Sequence, residues 1–135
     1  MTSKIKYQGN LRTECTHIRS GQSFITDAPI DNNGKGEAFS PTDLTATSLG
    51  TCMITVMGIS ARNHGINIDG AELEITKHMA ADPRRISQID VKILMPSLPY
   101  TDKEKKILET AGRTCPVAYS LHPDIVQSLD FVWPE

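Results

Sequence analysis

Three thiols, Cys15, Cys52 and Cys115, are the strongest nucleophiles in this 135-residue sequence. A thiolate attacks peroxides and disulfides, and its surroundings decide how much of it is present at neutral pH. Cys52 lies in a stretch without charged residues and shares a helical face with Ser48, Leu49, Thr55 and Val56 by three- and four-residue spacing. Such a cysteine also reads as a small buried hydrophobe, inert because apolar burial raises its pKa. Cys115 directly precedes Pro116, a helix-start signature that places the thiol at the positive end of the helix dipole and favours thiolate; a simple cap is the alternative. The two could form a reversible disulfide if the fold brings their Cα atoms within about 7 Å, a distance that spacing leaves open.

Other chemistries find little support. Cys15 and His17 share a strand face, but no Cys-x-x-Cys or His-x-x-x-His completes a tetrahedral set, so neither a metal nor another cofactor is expected. His64, His78 and His122 have structural explanations, near a helix C-terminus, within a strand and before a proline. No Gly-x-Ser-x-Gly elbow is present, and Gly34-Lys35-Gly36 lacks the context of a phosphate loop.

The elements that must position these thiols fit one domain over residues 1–135. Apolar residues make up 39% of the chain, an ordinary globular composition, and the net charge of −2 lacks the basic excess a nucleic-acid partner demands. The N-terminus carries Lys4 and Lys6 without an apolar run, and three cysteines make a poor disulfide framework; both point to a reducing, cytoplasmic setting. Leu44 to Ala61 is uncharged, but six Ser and Thr residues with Gly50 and Gly58 dilute it, so it reads as a helix buried in protein and no membrane is expected as a partner.

Strands are expected at Lys4–Gln8, Leu11–Ile18 and Gln22–Thr26, joined as a meander, followed by a mobile polar connection from Asp27 to Ala38 that is too polar to be packed in a core. Ser40 as cap, Pro41 at the first helical position and Asp43 three residues after the cap start a helix that Gly65 stops, about 35 Å long. With no charge over five turns it demands cover on nearly all sides, and a second chain is the expected source. Alternation at Ala71–Ala80 and Ile89–Met95, with Asp82-Pro83 between, predicts an antiparallel hairpin. Thr101–Gly112 reads as a capped amphipathic helix, a short helix begins at Cys115-Pro116, and Gln127–Trp133 is a closing strand.

Phe39-Ser40-Pro41-Thr42-Asp43-Leu44 followed by Ser48-Leu49-Gly50-Thr51-Cys52-Met53 resembles the first-cysteine helix of the OsmC/Ohr family of hydroperoxide-reducing proteins, and Cys115-Pro116-Val117-Ala118 resembles its second-cysteine motif. Ile25-Thr26-Asp27-Ala28-Pro29 and the order of elements extend the similarity over most of the chain. The resemblance implies an α+β, OsmC-like fold with antiparallel sheets wrapped around two central helices in an intertwined homodimer. It implies a cofactor-free peroxidase of the oxidative stress response, in which Cys52 attacks a hydroperoxide, Cys115 resolves the sulfenic acid into a disulfide, and a thiol reductant closes the cycle. The chain departs from the family at Thr42, where members with strong organic-hydroperoxide activity usually carry Glu working with an N-terminal Arg; Arg12 and Arg19 are the arginines of the N-terminal strands. The alternative is a non-catalytic dimer of the same fold that binds a small apolar ligand or senses redox state.

Overall fold

The computed structural model describes residues 1–134, in two compact units that meet in sequence between Thr45 and Ala46. In the first, β1 (Ser3–Gly9), β2 (Arg12–His17) and β3 (Ser23–Asp27) form the antiparallel meander that the turn residues predict. The first turn passes through Gly9, Asn10 and Leu11, all at positive φ, and the Leu11 N–H donates to the Tyr7 hydroxyl at 3.2 Å. Ile5, Cys15 and Phe24 stand opposite one another across the strands, so they share one face, and Ile5 (64%) and Phe24 (51%) remain exposed on it.

The connection after β3 differs from the expectation of a loose polar link. Asp27, its first residue by composition, ends β3 and is fully buried, and the following segment is hydrogen-bonded onto itself through Gly34 N–H to Pro29 O and Gly36 N–H to Ala28 O. Gly34 is required there, because a Cβ would fall 1.7 Å from the Ala28 carbonyl oxygen. The connection ends in a reciprocal cap: Ser40 N–H donates to Asp43 Oδ2 (3.0 Å) and Asp43 N–H to Ser40 Oγ (3.1 Å). Helix α1 (Pro41–Asn63) starts from it, and Gly65 follows at positive φ.

The second unit contains α1 from Ala46 onward, β4 (Glu72–Ala80), β5 (Arg85–Leu94), α2 (Asp102–Gly112), α3 (Pro116–Ser120) and β6 (Val126–Val132). β4 and β5 form the expected antiparallel hairpin. β6, however, runs parallel to β5, so the sheet is mixed, a correction to the all-antiparallel expectation. The chain between β5 and β6 contains both α2 and α3, long enough for the crossover that parallel strands need. Thr101 and Glu104 form the capping box that starts α2.

The core gathers Ala46, Leu49, Met53, Met57 and Ala61 of α1, Ile89, Val91 and Ile93 of β5, Leu108 of α2, and Cys115. Helix and sheet approach closely at Gly50, where an added Cβ would lie 2.6 Å from Ile75 Cδ1. Cover on nearly all sides of α1 is not met within the chain. One face is buried, while Thr51, Thr55 and Ile59 (58%) are exposed. By length and mean hydropathy (1.4 over 18 residues) this helix could cross a membrane, and a third of that window is buried in protein.

Candidate active site: a pair of unlike thiols

Cys52 lies in the middle of α1, three residues after Leu49, and is half-buried against the core. Cys115 is the N-cap of α3 and has no exposed surface. The Ala118 N–H donates to Cys115 Sγ at 3.4 Å, and the Cys52 thiol is near enough to act on the titration of Cys115. The second unit thus brings together the two thiols that occupy the predicted positions, and both are free.

Burial pushes the Cys115 thiol above its ordinary pKa; the Ala118 N–H opposes the shift, and the neighbouring Cys52 adds to it. This corrects the expectation that the helix start favours thiolate at Cys115. A helix of five residues offers one turn of dipole, and removing the sulfur from water outweighs it. The pair is therefore asymmetric, with a protonated, enclosed Cys115 beside a Cys52 that solvent can reach.

Cys15 lies on β2 in the first unit, with the Thr13 hydroxyl 3.8 Å from its sulfur. Arg12 binds Asp27 through two contacts of 2.7 Å and Glu37 at 3.1 Å, and Asp27 also accepts the Glu37 N–H. The Arg12 guanidinium lowers the Asp27 carboxyl below its usual range, against the effect of burial. Arg19 is exposed after β2. Sequence reading overlooked this ion pair because its partners are joined by strand pairing; the signal available was an Asp at the end of a strand facing an Arg-bearing one. On β4 and β5, His78 Nε2 and Asp90 Oδ2 are 2.6 Å apart, and the Gln88 amide donates to Asp90 Oδ1, both holding the Asp90 carboxyl low. Among the described residues no group of three or more His, Cys, Asp or Glu is placed to hold a metal.

A groove of about 510 Å³ runs beside the second half of α1, with Thr55, Ile59, Ile66 and Ile68 in its walls and Arg62, Asn67 and Asp69 as its polar groups. Thr55 and Ile59 follow Cys52 at three and seven residues, so the groove continues the helical stripe on which that thiol lies.

The second unit places two free cysteines near one another, one of them capping a short helix. The profile of the OsmC-like protein family matches residues 34–129, and the chain belongs to that family. Among solved structures it is similar to a Psychrobacter arcticus 273-4 protein, provisionally described as an osmotic stress induced and detoxification response protein, with 53% identity, a TM-score of 0.94 and coverage of 98% of this chain and 96% of that one. The fold is shared with an organic hydroperoxide resistance protein OsmC of Legionella pneumophila (15% identity, TM-score 0.74, 97% and 96% covered) and an organic hydroperoxide resistance protein of Elizabethkingia anophelis (14%, 0.74, 97% and 95%). No curated protein matches the chain.

Proposed function

We propose that this protein is a cysteine-based peroxidase that reduces organic hydroperoxides or hydrogen peroxide. The observation that carries the reading is the proximity of a half-buried Cys52 to a buried Cys115. The Cys52 thiolate attacks the O–O bond of ROOH; the bond breaks, one oxygen stays on sulfur as Cys52–SOH, and RO⁻ takes a proton and leaves as ROH. Cys115 then condenses with the sulfenic acid, giving the Cys52–Cys115 disulfide and water, and a thiol reductant supplies two electrons and two protons to restore the pair. Membership of a family with hydroperoxide resistance proteins in its fold supports the reading, and the groove beyond Thr55 offers room for an organic R group. A cycle driven by thiol reductants suits the cytoplasm.

The functional unit is a homodimer in this reading. The uncharged stripe of Thr51, Thr55 and Ile59 and the Ile5, Phe24 face of the first sheet are the surfaces a second copy would cover.

Thr42 in place of the family Glu favours a second reading, a dimer that binds a small apolar ligand or senses redox state. Single-turnover peroxide consumption with mass spectrometry separates the two. Cys52→Ser should abolish consumption, and Cys115→Ser should retain the first attack and stop at an oxidised Cys52. If wild type and both variants consume peroxide at the slow rate of a free thiol, the second reading replaces the first.

A further inference from the structure

We propose that the hollow where the loop after β5 meets the start of α2 is a second binding site, for a small molecule that carries a carboxylate on a flat apolar body. It shares no lining residue with the groove beside α1 and no thiol lines it, so it stands apart from the peroxidase reading.

The hollow measures about 450 Å³, within the roughly 300–1,000 Å³ of small-molecule sites. Its lining is Ser97, Leu98, Pro99, Tyr100, Lys105 and Pro134. The Tyr100 hydroxyl donates to the Asn67 carbonyl at 2.7 Å, which fixes that ring and spends its proton within the chain. Pro99, Tyr100 and Pro134 offer ring surfaces and Leu98 an aliphatic one, walls against which a flat apolar body packs. Two polar side chains are left to an occupant, the Lys105 ammonium and the Ser97 hydroxyl.

Lys105 selects the charge. Its side chain is half-buried, and its ammonium lies 5.8 Å from the centroid of the Trp133 ring, which meets Tyr100 edge to face with centroids 5.2 Å apart. Among the described residues no carboxylate pairs with this ammonium; Glu104, its neighbour in sequence, is committed to the Thr101 N–H in the cap of α2. An aromatic ring holds such a cation in place but leaves its N–H donors to be met. One ammonium and one hydroxyl match a singly charged carboxylate, whereas a phosphate dianion calls for more donors than this lining offers. Trp133 gives an independent sign that the corner is incomplete. Its indole Nε1–H is enclosed and finds no acceptor among the described residues, although folded proteins satisfy nearly all such donors. The corner is thus rich in unmet donors, and what it lacks is an acceptor with negative charge.

The experiment titrates phenylacetate into the reduced full chain and follows the emission of Trp133, the one tryptophan of the sequence. A saturable change is expected. Phenylacetamide, the same body without the charge, and acetate, the charge without the body, should each bind about ten-fold more weakly or worse. Lys105→Met keeps the apolar stem, removes the ammonium and should lose about ten-fold in affinity for phenylacetate; Lys105→Arg should retain it. Because Lys105 touches the indole ring, each substitution changes the starting emission, so midpoints and not amplitudes are compared, and the single indole N–H resonance gives a second reading of each midpoint. No saturable change in either signal for wild type, equal midpoints for phenylacetate and phenylacetamide, or an unchanged midpoint in Lys105→Met would overturn the proposal. No peroxide is used and neither Cys52 nor Cys115 is altered, so failure of this site and failure of the peroxidase reading are told apart.

Discussion

Replacing Gly50 by alanine sets two effects against each other at a close approach of α1 to the sheet. Glycine in a helix interior costs about 1 kcal/mol relative to alanine, so the substitution gains that much from the backbone. The new Cβ, however, would lie 2.6 Å from Ile75 Cδ1, with Ile75 Cγ1 and Leu73 Cδ2 both at 3.4 Å. Ile75 must turn away to make room for it. Overpacking of this kind costs about 1–3 kcal/mol. The balance is a net loss of about 1 kcal/mol, or a fall in melting temperature of roughly 3–5 °C for a chain of this size. Gly58 in the same helix is the control, because an added Cβ meets nothing within 4 Å; Gly58→Ala should gain up to about 1 kcal/mol. Urea unfolding at one fixed protein concentration measures both variants. The clash should also be relieved by Ile75→Val, which removes the Cδ1 atom, so Gly50→Ala should cost less in that background than in wild type. If Gly50→Ala stabilises the protein as much as Gly58→Ala, or if Ile75→Val leaves its cost unchanged, the close approach of helix and sheet is not what glycine serves here.

Three further outcomes are expected. Leu108→Ala, at a fully buried position on α2, should lose about 2–5 kcal/mol in urea unfolding, because the cavity adds to the lost transfer energy. Arg12 depresses the Asp27 carboxyl, so the unfolded chain takes up the proton more readily than the folded one; the stabilisation is complete above about pH 4 and is lost as pH falls through the lower folded value. Asp27→Asn should therefore destabilise more at neutral pH than in acid, and parallel stability curves for variant and wild type would contradict the ion pair. Sedimentation at micromolar concentration should show a species of twice the chain mass, and a well-folded monomer would remove the dimer from the proposed function.

The elements were legible where their signals are local. Ser40 with Asp43 and Thr101 with Glu104 read as helix starts because each cap bonds across only three residues. Cys115-Pro116 likewise marked α3. What could not be read depends on residues far apart in the chain. The parallel pairing of β6 with β5 is decided by where α2 and α3 return the chain, and the alternating pattern of Val126–Val132 is the same for either direction. Asp27 reads as a turn residue until strand pairing places Arg12 against it. The positions of Cys52 and Cys115 were recognisable from their motifs, but the electrostatic state of Cys115 was misjudged, because a local helix-start cue says nothing of how completely other elements enclose the sulfur.

The hydroxyls along the exposed side of α1 have a consequence for how that side can change its surroundings. Thr45 Oγ1 donates to the Pro41 carbonyl, Thr51 Oγ1 to Ser48 and Thr55 Oγ1 to Thr51, at 2.7–3.1 Å. Each threonine thereby answers its own donor within the helix and turns no unmet O–H outward. A surface made this way tolerates water, yet it gives up few hydrogen bonds when water leaves, because the cost of drying a polar group falls on those without a partner. Threonine thus gives α1 a side that keeps a separated chain wettable and can still be dried by an apolar neighbour without stranding a donor.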